Sequence, residues 1–578
     1  MCRDGTEAVL CCDQMAFVTI KYLSFGPSSK RISISHTKCW LSQVSLFVMI
    51  IAALATRARP ICAAQSDALS NLINRARTAL GLGLSRAHVF HIAGNLEAAG
   101  ISGTCEAWVD STAGQYAESV DAGPLSETHG FDGNTAWMKD SKGIVLVQNG
   151  PGALAKSANE IFNESYALFS PNYGGAKVSY LGARAEEGKS YEAISVTPSH
   201  GLEEQWWFDG ATWLLARRIV ISGGHTTTTM LSDYKSADGV MIACRRIITN
   251  DNGLRETIEI TSLDSTVRDI AAHLQRPSTT ANDFSLPGGE TSVPIEIIDN
   301  HIFLDVSING KGPFHFWFDT GGRNIMDPTV AWAVGARASG SVRVGGIGSR
   351  TSEMQFTRVD QVSIGAATLT GQDFLITQLG PRSTYVPFGL TPKREVQGLI
   401  GYELPARFPI TIDYAAGRMT LRTPEAFHIV APGGSPIPLR FNGTIPTIDC
   451  HVAGIDGTCE LDTGSVTVLV SKPFIDAHPE VLPRWFSGSA MIPLLPTRGI
   501  VASGFGGWSK GQVGELSSLQ LGTKTLKGID KTIFSLDEKG ALADPLVAAI
   551  IGNPVLKRLT MTLNYPDEML WLVPNNTP

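Results

Sequence analysis

The chain has 578 residues, 43% hydrophobic and 17% charged, a composition typical of folded globular domains rather than disordered or fibrous chains. It is too long for one hydrophobic core, so several domains are expected. The formal charge is −7, from 47 basic and 54 acidic side chains, and no basic run stands out, which gives a nucleic-acid partner no electrostatic support.

Residues 1–64 are predicted to be a leader segment. Basic residues precede the apolar run VSLFVMIIAALA at Val44–Ala55, which is too short to span a bilayer comfortably and is followed by small residues. Five of the nine cysteines lie in this segment. We therefore expect an exported protein, periplasmic or secreted, in an oxidising compartment; membrane anchoring by an uncleaved leader is the alternative.

The next 200 residues are predicted to combine helices with antiparallel strands. Apolar residues recur at helical spacing over Asp67–Leu80, and a second helix is expected around Gly152–Phe162. Elsewhere, up to about Ser262, short alternating runs separated by Gly, Asn and Asp predict strands. FDGNTAW at Phe131 and FDGATW at Phe208 predict hairpin turns.

This order of elements resembles the bacterial outer-membrane lipoprotein carrier and sorting family. The resemblance rests on the pattern of one long helix followed by a strand meander, including FDG-x-T and SDYKSADGVMIACRRI. It implies that residues 65–275 form an α+β half-barrel, an antiparallel sheet with helices. Its concave face would bind a lipid, an acyl chain or an extended peptide; a scaffold with a filled core is the alternative.

Two linkers are predicted to divide the rest of the chain. PSTTANDFSLPGG, at Pro277–Gly289, clusters Ser, Thr, Pro and Gly and places a linker at 276–291, after a short helix at Val267–Gln275. APGGSPIP, at Ala431–Pro438, is the second linker. The boundaries give two further units, 292–430 and 439–578.

These two units repeat one another. FHFWFDTGG at Phe314–Gly322 and TCELDTGS at Thr458–Ser465 each end an apolar strand at Asp-Thr-Gly, so each delivers one carboxylate into a tight turn. A Gly-rich stretch, a pair of strands, a closing hydrophobic-hydrophobic-Gly and a final aliphatic-Asp/Asn-Tyr strand follow in both units. Such self-similarity predicts two copies of one fold.

The repeated pattern resembles the aspartic peptidases, and its short halves are similar to a retropepsin subunit. The resemblance covers Ser292–Leu572 and implies two all-β retropepsin-like lobes in a single chain. The expected function is an aspartic endopeptidase that acts on a peptide or protein substrate. It would need no cofactor or metal, and it would work as a monomer because both halves of the site lie in one chain.

By this resemblance, Asp319 and Asp462 form the catalytic dyad. Two adjacent carboxyl groups cannot both ionise cheaply, so one stays protonated as the acid while the other acts as base. The residues that would support the dyad turns are Thr320, Gly321, Thr463, Gly464 and Ser465. The candidate residues of two flaps that close on substrate are Gly345, Gly346, Gly348, Gly504, Gly506 and Gly507.

Two positions depart from the family pattern. Gly322 follows the first motif where members usually have Ala, Ser or Thr, and neither Gly-rich stretch contains tyrosine; Trp508 and Phe505 are the nearest aromatic residues.

The alternatives to a peptidase are a catalytically idle peptide-binding protein of the same fold and a periplasmic lipid or lipoprotein carrier acting through the N-terminal domain. Motifs for zinc or serine hydrolases are absent from the sequence.

Four cysteines remain after the leader. Cys450 and Cys459 flank a turn at GIDG, and buried free thiols are predicted in preference to a disulfide, because cross-strand geometry is often unfavourable. Cys105 and Cys244 lie on separate predicted strands, and the sequence leaves their pairing open.

Overall fold

The computed structural model describes residues 65–83, 89–346, 350–379, 396–429, 433–483, 499–504 and 507–575. β strands predominate and form four sheets. The predicted leader, 1–64, lies outside the described residues, and the chain from Ser66 onward forms one compact unit. Within the described ranges, no helix is long and apolar enough to cross a membrane.

The helices are few and mostly short. They are α1 (65–79), α2 (Pro151–Glu164), α3 (Ala271–Leu274), α4 (Pro328–Val334), α5 (Pro424–Ile429), α6 (Lys472–Ala477) and α7 (Asn553–Leu556). The three helices predicted from periodicity correspond to α1, α2 and α3.

Sheet 1 contains 13 antiparallel strands in the order β6-β5-β4-β3-β2-β1-β13-β12-β11-β10-β9-β8-β7. Its strands are β1 (Val89–Ala98), β2 (Ile101–Asp110), β3 (Gln115–Asp121), β4 (Glu127–Phe131), β5 (Ala136–Asp140), β6 (Val145–Val147), β7 (Lys177–Glu186), β8 (Lys189–Thr197), β9 (Glu204–Asp209), β10 (Leu215–Ser222), β11 (His225–Ala237), β12 (Val240–Asn250) and β13 (Arg255–Asp264).

Local chemistry explains how this sheet turns and what covers it. In the two predicted hairpins, Asp132 and Asp209 accept hydrogen bonds from backbone N–H groups two and three residues on, which closes the turns β4–β5 and β9–β10. Leu72 and Ala76 of α1 pack in one apolar cluster with Trp206 and Phe208 of β9. The half-barrel curvature of this domain stays a prediction.

The remaining strands, in chain order, are β14 (Phe284–Ser285), β15 (Glu290–Pro294), β16 (Glu296–Ile298), β17 (His301–Ile308), β18 (Lys311–Phe318), β19 (Ile325–Met326), β20 (Ser339–Val344), β21 (Ser352–Ile364), β22 (Ala367–Ile376), β23 (Gly398–Ile400), β24 (Ile410–Asp413), β25 (Arg418–Arg422), β26 (Ile437–Pro438), β27 (Arg440–Asn442), β28 (Ile445–Val452), β29 (Ile455–Leu461), β30 (Leu469–Val470), β31 (Gly499–Gly504), β32 (Gly507–Leu521), β33 (Lys524–Ser535), β34 (Ala549–Ile551), β35 (Leu559–Asn564) and β36 (Met569–Pro574).

Sheets 2 and 4 have matching strand pairings. Sheet 2 runs β14-β22-β19-β23-β18-β17-β21-β20, with β16 paired to β17, and sheet 4 runs β27-β28-β29-β34-β30-β33-β32-β31. In each, the strand that ends at Asp-Thr-Gly pairs in parallel with the closing strand: β18 with β23, and β29 with β34. Each also has a two-stranded hairpin at one end, β20–β21 or β31–β32.

Sheet 3 joins the two halves. It runs β15-β25-β24-β35-β36-β26, and its central pair is β24 with β35, the two strands that close the repeated units. A single apolar core extends across both halves and includes Phe316, Phe318, Leu461 and Tyr565. The strands that carry Asp319 and Asp462 are therefore anchored in the same core.

The segment predicted to be a linker, 276–291, is packed against sheet 2. Phe284 of β14 pairs with Leu369, and the buried side chain of Asp283 accepts hydrogen bonds from the Arg407 guanidinium at 2.7–3.0 Å. Arg407 is only 1% exposed, and a buried guanidinium needs a carboxylate partner. The Ser-, Thr- and Pro-rich sequence of this segment gave no sign that Asp283 would pair with Arg407. The domain boundaries stay predictions.

The expectation of free thiols at Cys450 and Cys459 is wrong. The two residues form a disulfide between β28 and β29, with a Cα–Cα distance of 5.9 Å, because the strands lie close enough for the side chains to meet diagonally. Cys105 and Cys244 are free thiols.

Removal of this disulfide should destabilise the second half. We expect the double substitution Cys450→Ala, Cys459→Ala to lower the free energy of unfolding by about 2–3 kcal/mol, since the bond closes a short loop and limits the unfolded chain. Chemical denaturation of wild type and variant measures this difference. The Cys105→Ala control removes a thiol that forms no disulfide, and it should change stability by much less; equal effects of both variants would contradict the expectation.

Candidate active site

The two Asp-Thr-Gly turns come together at the junction of sheets 2 and 4. Asp319 follows β18 and its N–H donates to the carbonyl of Ile400 (3.0 Å). Asp462 follows β29 and its N–H donates to the carbonyl of Ile551 (3.1 Å). Each predicted closing segment, hydrophobic-hydrophobic-Gly, therefore lies beside the corresponding aspartate.

Reciprocal threonine hydrogen bonds join the turns. Thr320 Oγ1 donates to the Leu461 carbonyl (2.7 Å) and accepts from Thr463 N (3.1 Å). Thr463 Oγ1 donates to the Phe318 carbonyl (2.9 Å) and accepts from Thr320 N (3.0 Å). Both threonines are almost completely buried. Four buried hydrogen bonds thus fix the position of one turn relative to the other.

The side chains of Asp319 and Asp462 interact with each other, and each carboxyl group lies against the glycine of the opposite turn. Each carboxylate also accepts a backbone N–H from its own turn: Gly321 N to Asp319 Oδ1 (2.9 Å), and Gly464 N to Asp462 Oδ1 (2.8 Å). Burial raises the pKa of Asp462, while the hydrogen bonds from Asp319, Gly464 and Ser465 lower it; burial is the larger effect and the net direction is upward. The Asp462 carboxyl therefore keeps its proton to higher pH than an ordinary aspartate does.

Each motif glycine makes room for the opposite carboxylate. A Cβ at Gly464 would lie 2.4 Å from Asp319 Oδ2, and a Cβ at Gly321 would lie 2.9 Å from Asp462 Cγ. A Cβ at Gly322 would be 3.4 Å from Asp319 Oδ2, which is ordinary contact. Glycine is thus required at the third motif position for the carboxyls to approach, but not at the fourth.

The fourth motif position differs between the two turns. The buried Ser465 donates from Oγ to the Thr467 carbonyl (2.9 Å) and so fixes the chain that leaves the second turn. Gly322 provides no side chain, but its carbonyl accepts from Tyr402 N (3.0 Å). The first turn therefore lacks a side-chain contact like that of Ser465 and is held at Gly322 by a backbone contact.

The flap candidates lie at two hairpins. Gly345 and Gly346 follow β20, Gly504 ends β31 and Gly507 begins β32. Gly348 and Gly506 lie outside the described residues, as does Phe505. Trp508, on β32, is 59% exposed.

Sequence reasoning missed the polar residues that support the first turn. Asn324 Oδ1 accepts from Gly401 N (3.0 Å), and Asn324 N donates to Glu403 Oε2 (3.1 Å). Burial raises the pKa of Glu403 to about 7. The only sequence signal was their position a few residues after Asp319 and Ile400, which does not distinguish a structural contact from solvent exposure.

A third carboxylate, that of Glu460, lies near Asp462. Glu460 precedes Asp462 by two residues on β29, and burial together with the charges of Asp544 and Asp462 raises the pKa of Glu460 to about 8. In the described residues, no group of three or more His, Cys, Asp and Glu side chains is arranged to hold a metal ion.

Residues 304–404 match the family model of aspartyl proteases. The resemblance that the sequence motifs indicated is thereby confirmed for this part of the chain. The matched range contains Asp319, Thr320 and Gly321, and it extends past the closing Gly401. Asp462 lies outside the matched range.

Comparison with solved structures returns both kinds of protein that the sequence resembles. An aspartic proteinase from Irpex lacteus is 12% identical, with 50% of this chain and 98% of that chain covered (TM-score 0.34). A putative outer-membrane lipoprotein-sorting protein domain from Vibrio parahaemolyticus is 11% identical (34% and 93%, TM-score 0.26), as is a LolA superfamily protein from Nitrosomonas europaea (35% and 93%, TM-score 0.26). No curated protein sequence matches the chain.

Proposed function

We propose that this protein is an aspartic endopeptidase whose dyad, Asp319 and Asp462, forms within one chain. The observation that carries the proposal is the close approach of the two carboxyl groups, each against the glycine of the opposite turn, with the turns fixed by the threonine hydrogen bonds. The aspartyl protease match over 304–404 supports the same reaction class. In this proposal the two halves are retropepsin-like lobes, and the enzyme acts on a peptide or protein as a monomer.

The reaction uses the single proton that the carboxyl pair holds. A water molecule between the carboxyls gives a proton to the ionised carboxylate while its oxygen attacks the peptide carbonyl carbon. The protonated carboxyl donates its proton to the carbonyl oxygen. The resulting diol collapses as the C–N bond breaks: one of its hydroxyls returns a proton to the ionised carboxylate, and the amine takes the proton of the other carboxyl. A carboxylic acid and an amine are released, and the pair again holds one proton. Because the protons belong to the pair, neither role is assigned to one residue.

Activity should follow a bell-shaped pH profile with an acidic optimum. Cleavage requires one proton on the pair, so it falls at low pH as a second proton binds and falls again as pH rises through the raised pKa of Asp462. Initial rates on one fluorogenic peptide across the pH range measure this profile. A rate that keeps rising into the alkaline range would contradict the shared proton.

The same raised pKa has a consequence for stability. The folded state holds the Asp462 proton more tightly than the unfolded chain does, so this group stabilises the fold below the unfolded pKa, and the contribution is lost as pH rises through the folded pKa. We expect Asp462→Asn to remove this part of the pH dependence. Unfolding curves of wild type and variant at several pH values measure the difference.

Location outside the cytoplasm belongs to the same proposal. The Cys450–Cys459 disulfide is consistent with an oxidising compartment such as the periplasm or the extracellular space. Thiol labelling of the protein from its native host, with and without prior reduction, tests whether these two cysteines are paired there.

The N-terminal domain offers a second candidate function, binding of a lipid or acyl ligand. A cavity of about 320 Å³ lies between α2 and β4–β6, bordered by apolar residues such as Phe131, Leu154 and Ile161 together with Gln148 and Asn149. Uptake of a fluorescent fatty acid by the full chain tests this function. Loss of uptake in Ile161→Arg, at preserved peptidase activity, would support it, and no uptake by wild type would reject it.

A further inference from the structure

Three neighbouring hairpin turns of sheet 1 lie against the peptidase halves. They are β1–β2 with Ala99 and Gly100, β12–β13 at 251–254, and β10–β11 with Gly223 and Gly224; the strand order β2-β1-β13-β12-β11-β10 places them side by side on one edge. We call this row the turn edge. Each of its turns contacts residues that belong to the hairpin β20–β21 or to the second half.

The first turn holds β20 through the backbone. Ser341 N donates to the Ala99 carbonyl (2.9 Å), and a Cβ at Gly340 would lie only 2.6 Å from Ile101 Cγ1. The β1–β2 turn and β20 are therefore in direct contact. β20 is the terminal strand of sheet 2, and its outer edge would otherwise present unpaired backbone groups. The turn edge therefore provides a backbone partner for one residue on the outer edge of the hairpin.

Apolar packing reinforces this contact. Ala99, Ile101 and Leu125 pack on a cluster that contains Met354 and Phe356 of β21, and the same cluster contains Trp317, two residues before Asp319. The turn edge, the hairpin and the strand that delivers the first dyad residue thus share one apolar cluster.

The second turn reaches the other arm of the hairpin. Thr351 Oγ1 donates to the Asn252 carbonyl (3.3 Å). The side chain of Arg343 lies over Gly253, where a Cβ would be 2.9 Å from Arg343 Cδ. Both arms of β20–β21 are therefore held.

The third turn contacts the second half. Gly540 N donates to the Gly223 carbonyl (3.0 Å), and Lys539 forms an ion pair with Asp251, which also pairs with His225. The next residue, Ala541, donates its N–H to the carbonyl of Gly346 in the first half (3.2 Å). The hairpin of the first half is thus joined to the second half beside the turn edge.

We propose that the turn edge is a latch that holds the β20–β21 hairpin against the second half, and that release of these contacts admits a peptide to the dyad. This inference rests on the proposed peptidase function for its consequence, but the latch itself is a property of the fold. It gives the N-terminal domain a role in the reaction: its turns set how often the β20–β21 hairpin is released.

Hydrogen–deuterium exchange of the full chain tests the latch without reference to activity. Ile101→Ala removes apolar contact with β20, and we expect amide exchange in 339–344 to become about tenfold faster, since losing this packing makes local opening easier. Lys539→Gln is a second, surface variant that should accelerate exchange around Ala541. The matched control is Ile221→Ala, on β10 of the same sheet, whose side chain is 60% exposed and makes no contact with the hairpin in the cluster described above.

Cleavage assays then test the consequence. If opening limits substrate entry, kcat/KM for a peptide should rise in Ile101→Ala and Lys539→Gln by about the same factor as exchange, and stay at the wild-type value in Ile221→Ala. Unchanged exchange in both latch variants would overturn the proposal, and so would faster exchange with lower kcat/KM, because the hairpin would then be braced for catalysis. If wild type and all variants fail to cleave any peptide, the peptidase function fails while the exchange data still decide the latch.

Discussion

Asp319→Asn and Asp462→Asn should each lower kcat/KM for a peptide substrate by at least about a thousandfold. Each substitution replaces a group that must carry or receive a proton with an amide that can do neither at any accessible pH. The two carboxyls lie together and act as one pair in the proposed reaction, so the double variant should be no worse than either single one. Initial-rate kinetics on one fluorogenic peptide at the optimum pH measure all three.

The matched control is Asp449→Asn on β28. Asp449 forms a surface ion pair with Arg440 and takes no part in the proposed reaction. Exposed ion pairs of this kind contribute little to stability. Kinetic constants near wild type in this variant, with intact folding of all variants by circular dichroism, would attribute the loss to the dyad. Full activity in either dyad variant would refute the proposed mechanism.

Gly464→Ala should lower kcat by about a hundredfold or more, because a small displacement of a catalytic group has such an effect. The added Cβ would stand 2.4 Å from Asp319 Oδ2, so the carboxylate must move away from its partner. The protein should still fold, since the atom that yields is the end of a side chain rather than backbone. The same steady-state assay, together with thermal unfolding, separates loss of activity from loss of structure.

Gly322→Ala provides the comparison within the same site. There the added methyl group would be 3.4 Å from Asp319 Oδ2, an ordinary contact that requires no movement. We expect activity within a few-fold of wild type. Equal losses in Gly322→Ala and Gly464→Ala would show that the close approach of the two carboxyls is not what glycine provides.

The carboxyl pair could be anticipated from sequence because its signals are local and repeated. An apolar strand that ends at Asp-Thr-Gly can be recognised from residue types alone. The motif occurs twice, with Asp319 and with Asp462, which predicts that the two units share one fold. The two hairpin turns at Asp132 and Asp209 were predictable for the same reason: an Asp-Gly turn is determined by its own residues.

The features that sequence did not predict depend on tertiary contacts. The pairing of β24 with β35 joins strands about 150 residues apart along the chain, and no local pattern specifies such a partner. The ion pair of Asp283 with Arg407 also depends on a distant partner. A carboxylate in a polar segment is expected to be exposed unless its buried partner is known. Likewise, Ala99 and Gly100 read as an ordinary turn, and only the fold places them against Ser341.

The disulfide shows how register decides a question that spacing leaves open. Cys450 is directly opposite Gly457, and Cys459 is opposite Ile448, so the cysteines are diagonal neighbours rather than a facing pair. Their Cα–Cα distance of 5.9 Å still lies in the range that a disulfide spans. The sequence gives the separation of the two residues but not this diagonal offset.

Calorimetric binding of a statine-type peptide to wild type, Asp319→Asn and Asp462→Asn tests the central claim most directly. The hydroxyl group of such a peptide takes the place of the attacking water in the proposed reaction. Tight binding of this group requires both carboxyls to lie at one point, whether or not the protein cleaves a substrate. We predict binding by wild type and a loss of at least about a hundredfold in each variant, since either amide leaves one hydrogen-bonding partner unmatched. Equal affinity in all three proteins would contradict a site formed jointly by Asp319 and Asp462.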